Sequence, residues 1–207
     1  TSTGRTAILE NQDHYYKGIP MKSLIVSDLM IPLSEYATVS EEATLYEAIQ
    51  ALEKAQEEFD QTRYRHRAIL VFDKSGKVIG KISQLDALKA LEPKYNALMT
   101  DTTTRLKGFS TQYIQGMLEQ FSLWASSMTD ICRKGVDRKV KDLVHTPRSD
   151  EYINHKATLD VAIHQLIVGS NQSLLVQDDA GDIIGILRLT DVFAAVFHKL
   201  KECKIDT

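Results

Sequence analysis

A stretch of this chain is written twice, and that repetition constrains its fold more than any other feature. Val26-Ser27-Asp28-Leu29-Met30 returns as Val140-Lys141-Asp142-Leu143-Val144. Ala43-Thr44-Leu45, Ala48-Ile49 and Leu52 return as Ala157-Thr158-Leu159, Ala162-Ile163 and Leu166, and both matches have an offset of 114 residues. Further on, Ile69-Leu70-Val71, Asp73, Gly76, Ile79-Gly80 and Asp86 return as Leu174-Leu175-Val176, Asp178, Gly181, Ile184-Gly185 and Asp191. There the offset is 105, so the first copy carries nine extra residues (114 − 105) between its first helix and the next strand. Units this small are not comfortably stable alone, so the two copies are expected to pack against each other as a pseudo-twofold pair.

Each copy reads locally as strand, helix, strand, turn, strand, helix. Leu45, Ala48, Ile49, Leu52 and Phe59 fall at spacings of three, four and seven, which places them on one helical face. Thr44 with Glu47 supplies a capping box at the start of that helix. Ala68 to Phe72 and Val78 to Ile82 are apolar runs too short for helices, and Asp73-Lys74-Ser75-Gly76 between them supplies hairpin turn residues. The second copy repeats this with Asp178-Asp179-Ala180-Gly181. A closing helix follows each hairpin, over about 84–91 and 190–201.

Residues 93–137 interrupt the repeat and are read as an insert. Phe109, Tyr113, Met117, Phe121, Trp124 and Met128, with Ile114, Leu118, Ala125 and Ile131, keep helical spacing and predict one long helix of roughly seven turns closed by Gly135. An aromatic and Met-rich stripe is usually ordinary core. Both copies already cover their sheets with their own helices, so this stripe is expected to pack on a second subunit or a client protein. A homodimer with Trp124 near the interface centre is the most economical cover.

These features resemble the cystathionine-β-synthase (CBS) domain pair, or Bateman module, over about 24–92 and 138–201. The residues carrying the resemblance are the two lead-in segments 26–32 and 140–144 and the terminal motifs Gly80-Lys81-Ile82-Ser83-Gln84-Leu85-Asp86 and Gly185-Ile186-Leu187-Arg188-Leu189-Thr190-Asp191. The resemblance implies an α/β fold of two CBS-type βαββα repeats related by a pseudo-twofold axis. Flanking them are an N-terminal extension, 1–23, and a C-terminal tail, 202–207. It also implies a non-enzymatic regulatory module that binds AMP, ADP, ATP or a related adenosyl ligand in a cleft between the repeats.

In such a family the hydroxyl residue after the last strand meets phosphate and the Asp at the helix start holds the ribose. Ser83 and Asp86 match this in the first copy, with Thr38 and Arg67 joining the nucleotide-binding set. A helix N-terminus offers N–H groups to phosphate, and a carboxylate can accept both hydrogens of a vicinal diol. Ser-x-x-Asp before a helix is equally a capping box that needs no ligand. In the second copy Arg188 replaces the hydroxyl residue while Thr190 and Asp191 remain. Its guanidinium could pair with phosphate, or it could fill the cleft and bind a carboxylate. Arg63, Arg65 and Arg67 alternate and share one face of an extended strand; a solvated face is the simpler reading, with Arg67 the one chosen for phosphate.

The formal charge of −3 argues against a protein that coats nucleic acid or anionic membrane. No apolar run approaches the roughly 20 residues of a membrane span, and Thr1 to Glu10 lack the apolar stretch of a signal peptide. Cys132 and Cys203 show neither zinc nor disulfide spacing, and the His residues form no i,i+4 pair, so no metal site is expected. The chain is expected to be cytoplasmic and to lack catalysis, with an adenine nucleotide as regulatory ligand. The competing reading is a structural or oligomerisation module whose clefts hold no ligand.

Overall fold

The structure, a computed structural model, describes residues 23–58, 65–99 and 110–202. Phe59, Arg63 and Phe109 lie outside the described residues. The chain divides into two compact units, one made of Ala37–Thr146 and the other of residues up to Tyr36 together with those from Pro147 onward.

The 37–146 unit holds a three-stranded sheet in the order β2-β3-β4, from β2 (Thr38–Ser40), β3 (Ala68–Phe72) and β4 (Val78–Ser83). β2 runs parallel to β3, and β3 and β4 form the antiparallel hairpin. Helix α1 (Leu45–Glu58) starts where its sequence says it should. The Thr44 backbone N–H donates to Glu47 Oε2 at 2.6 Å, and Glu47 N–H donates to Thr44 Oγ1 at 3.1 Å. Ala48 and Leu52 from α1 meet Ile69, Val71 and Ile82 from the sheet in one core. The 147–202 unit repeats the plan with β5 (Tyr152–Asn154), α6 (Leu159–Gly169), β6 (Ser173–Gln177) and β7 (Ile183–Arg188). Its sheet gains a fourth strand, β1 (Ile31–Pro32), in the order β1-β7-β6-β5.

Both hairpins turn on the same device. Asp73 Oδ1 accepts from the backbone of Ser75 at 2.8 Å and of Lys77 at 3.0 Å, and Asp178 Oδ1 accepts from Ala180 and Asp182, each at 2.9 Å. Gly76 and Gly181 hold φ of +82° and +88°, which is why each turn ends in glycine.

Each lead-in segment packs in the unit of the other copy. Val26 N–H donates to Ala157 O and Leu159 N–H to Leu24 O, while Val140 N–H donates to Ala43 O and Leu45 N–H to Arg138 O. These pairs are the same positions exchanged through the repeat offset. Val26 lies in the core with Leu159 and Leu174, and Val140 in the core with Ala48 and Ile69. The lead-in backbones then reach the last strands, where Ile31 pairs with Ile186 and His145 bridges to Lys81. This explains Gly80 and Gly185. A Cβ on Gly185 would meet Ile31 O at 2.5 Å, and one on Gly80 would meet His145 O more closely still.

The region after the first repeat departs from the expected long helix. It forms α3 (Lys94–Met99), α4 (Thr111–Gln120) and α5 (Met128–Asp137), with the periodic stretch interrupted between α4 and α5. Ser122 N–H bonds Glu119 O at 3.2 Å and Leu123 N–H bonds Leu118 O at 3.1 Å, the paired closure of a Schellman motif, with Ser122 left-handed at φ +46°. Gly135 does not close a helix. It lies buried inside α5, where a Cβ would come within 4.0 Å of Leu91 and Tyr46 side-chain atoms, so it marks the packing of α5 against neighbouring side chains.

Candidate functional site

In the 37–146 unit the expected site residues gather at one end of the sheet. Thr38 opens β2, Arg67 immediately precedes β3 and Ser83 closes β4, where the registers Thr38 with Leu70 and Ala68 with Ser83 place these ends together. Gln84 N–H donates to Arg67 O at 3.1 Å and fixes the step from strand to α2 (Gln84–Leu91). Arg65 and Arg67 are exposed and His66 between them is buried, as an extended backbone requires.

Ser83 is the N-cap of α2. Its Oγ accepts from Asp86 N–H at 3.1 Å, while Asp86 Oδ2 accepts from Ser83 N–H at 3.0 Å and from Ser83 Oγ–H at 2.5 Å. The capping box is complete within the chain. Asp86 Oδ1 meets the Lys89 ammonium at 3.9 Å. The arrangement presents a carboxylate, a hydroxyl and a helix N-terminus at one sheet end, with an exposed guanidinium on the adjoining strand, which together can accept from hydroxyls and donate to an anion.

The same backbone frame carries other side chains in the 147–202 unit. Leu189 N–H donates to Gln172 O at 3.0 Å, the counterpart of the Gln84–Arg67 bond. Arg188 is only 4% exposed, and its guanidinium grips Asp191 with both prongs, Nε to Oδ2 at 2.5 Å and Nη2 to Oδ1 at 2.6 Å. The carboxylate that corresponds to Asp86 therefore has both oxygens engaged by a neighbour three residues away. Thr190 is half-buried at the start of α7 (Leu189–Glu202). Tyr152 stands where the first copy has Thr38, and burial, with the Glu151 carboxylate second, holds its phenol above its ordinary pKa.

Of the stripe expected at a subunit interface, Tyr113, Phe121, Trp124 and Met128 are exposed and Met117 is half-buried. Trp124 also has partners inside the chain, donating its indole N–H to Tyr95 Oη at 3.1 Å. Its backbone N–H donates to Glu92 Oε2 at 2.8 Å. Sequence reasoning missed Glu92, Lys94 and Tyr95, because nothing in their spacing announces contacts with residues some thirty positions later.

Among the described residues no group of three or more His, Cys, Asp or Glu could hold a metal ion, and no helix is long and apolar enough to cross a membrane.

Residues 26–93 match the CBS domain family. No curated protein matches the chain in sequence. The fold is that of solved CBS-pair structures. CBSX2 from Arabidopsis thaliana is 19% identical, with a TM-score of 0.54 over 87% of this chain and 99% of that one, and CBSX2 in complex with AMP is 20% identical with a TM-score of 0.53 over 87% and 100%. The CBS domain of a bacterial CNNM/CorC family Mg2+ transporter in complex with ATP is 14% identical, with a TM-score of 0.56 over 91% of this chain and 98% of that one.

Proposed function

With a CBS domain over 26–93 and the fold of a CBS pair as premise, we propose that this chain is a non-enzymatic regulatory module that binds an adenine nucleotide (AMP, ADP or ATP) in the cytoplasm and signals to a partner by a shift in conformation. The observation that carries this reading is the gathering of Thr38, Arg67, Ser83 and Asp86 at one end of a single sheet. Asp86 would accept from ribose hydroxyls, while the α2 N-terminus, the Ser83 hydroxyl and Arg67 would hold phosphate. The AMP and ATP complexes of structures with this fold support the choice of ligand.

The Arg188–Asp191 pair limits the proposal to one nucleotide per chain, through the 37–146 unit. The same pair, with a Ser83–Asp86 box already complete, favours the second reading, a structural module that holds no ligand. Melting temperatures across AMP, ADP, ATP and S-adenosylmethionine separate the two, since a ligand that binds the native state raises apparent stability by mass action. The sensor reading expects a concentration-dependent rise with at least one nucleotide; no rise with any of them favours the structural module. A homodimer that covers the exposed Tyr113, Ile114 and Leu118 is part of the proposal. Light scattering at micromolar concentration should read a dimer that Ile114→Asp converts to monomer, and a wild-type monomer would remove it.

A further inference from the structure

The junction between α4 and α5, Phe121-Ser122-Leu123-Trp124-Ala125-Ser126-Ser127, contains neither glycine nor proline. Yet Ser122 and Trp124 both hold left-handed backbones, at φ +46° and +58°. That conformation crowds Cβ against the following carbonyl, so residues other than glycine keep it only where their surroundings over-determine it. Here those surroundings come from far away in sequence. The Lys94 ammonium donates to Phe121 O at 2.9 Å and to Ser122 O at 3.0 Å, taking up carbonyls at the end of α4. Glu92, 2% exposed, accepts from Trp124 N–H, and Tyr95 Oη accepts from the Trp124 indole.

The local sequence is divided: Ser127 caps α5 by accepting from Asp130 N–H at 3.2 Å, which favours the interruption, while the apolar periodicity pulls the other way. Tyr113, Met117, Phe121, Trp124 and Met128 continue at spacings of three and four through the interruption, the pattern of one unbroken helix. Local periodicity and tertiary contacts thus specify two different backbones for the same residues, which is the condition for a two-state element.

We propose that Glu92, Lys94 and Tyr95 form a latch that holds the α4–α5 junction open, and that release of the latch lets residues 111–137 extend as one helix of about 40 Å. Continuity would bring Phe121, Trp124 and Met128 into one stripe with Tyr113 and Met117. α5 is the fixed end, because buried Gly135 lies against Leu91 and Tyr46. The device does not depend on nucleotide binding, so its test needs no ligand.

Spin labels on the exposed native Cys132 and on Gln112→Cys, in a Cys203→Ser background, read the junction as a distance. Twenty residues of continuous helix would set the labelled backbones about 30 Å apart. Lys94→Met removes two charge-assisted hydrogen bonds at an exposed position, and Glu92→Gln weakens the third. Lys94→Met should raise the ratio of extended to interrupted populations about tenfold or more, Glu92→Gln, which keeps an acceptor oxygen, by less, and the double variant should raise it further. Adding Ser122→Gly, which relieves the left-handed backbone, should return the distribution toward that of the native protein. Should Glu92→Gln lose its folded circular dichroism, Lys94→Met alone decides. A folded Lys94→Met protein with an unchanged distance distribution overturns the latch.

Discussion

At the end of β4 a serine hydroxyl caps α2 and Asp86 answers it; at the end of β7, an offset of 105 residues later, the Arg188 guanidinium takes both oxygens of Asp191. The strands, the register and the strand-to-helix hydrogen bond are the same in the two places. The difference is that Ser83 and Asp86 lie half-buried, whereas Arg188 and Asp191 are buried to 5% and 10% side-chain exposure. A repeated backbone thus carries a half-buried capping box in one copy and a buried ion pair in the other.

The largest test of that contrast is to delete the cation. Arg188→Ala leaves the Asp191 carboxylate buried without its partner, and should cost about 3–5 kcal/mol of stability by denaturant unfolding. Ser83→Ala, at the matching position, should cost about 1 kcal/mol, the usual value of an N-cap. Equal costs at the two positions would erase the contrast.

Next come the features the copies share. Gly80→Ala and Gly185→Ala each push a methyl group into the carbonyl of a lead-in segment, and each should destabilise by about 1–3 kcal/mol. A thermal melt that shows one tolerated and the other not would mean that the two exchanged segments are not equivalent.

The smallest effect lies where the copies part company. Glu92 ends α2, while its counterpart Phe197 lies well inside α7. Burial pushes the Glu92 carboxyl up, but the backbone N–H groups of Trp124 and Lys94 and the charges of Lys134 and Lys94 outweigh it, so the group sits below its ordinary value. A carboxyl held lower in the folded state contributes stability that is complete above its unfolded pKa of about 4.3 and is lost as pH falls through the folded value. Glu92→Gln should therefore flatten the acid side of the stability–pH curve measured by chemical unfolding, and leave its slope at neutral pH unchanged.

Much of this frame was legible in the sequence. The repeat offsets located both hairpins, Thr44 and Glu47 announced the start of α1, and Asp73 with Gly76 and Asp178 with Gly181 announced the turns, because each of these signals acts over a few residues. The exchange of lead-in segments was not legible. Val26-Ser27-Asp28-Leu29 and Val140-Lys141-Asp142-Leu143 carry nearly the same apolar pattern, so either fits either sheet, and only three-dimensional chain routing decides. The interruption at Ser122 was only partly legible: Ser127 with Asp130 is a local capping signal for the start of α5, while the end of α4 is held by Lys94 and Glu92 rather than by a local glycine or proline. Arg188 was legible as a departure, and its bidentate bond to Asp191 became visible only in three dimensions.

The most direct test of the central claim is the stoichiometry of nucleotide binding. Calorimetric titration of the full chain with AMP and with ATP should find one site per chain, and Asp86→Ala should weaken it by about 1.5–3 kcal/mol, roughly ten- to a hundredfold in affinity. Asp191→Ala should leave that affinity unchanged. Two equivalent nucleotides per chain, or a single site that Asp191→Ala abolishes and Asp86→Ala spares, would contradict the account.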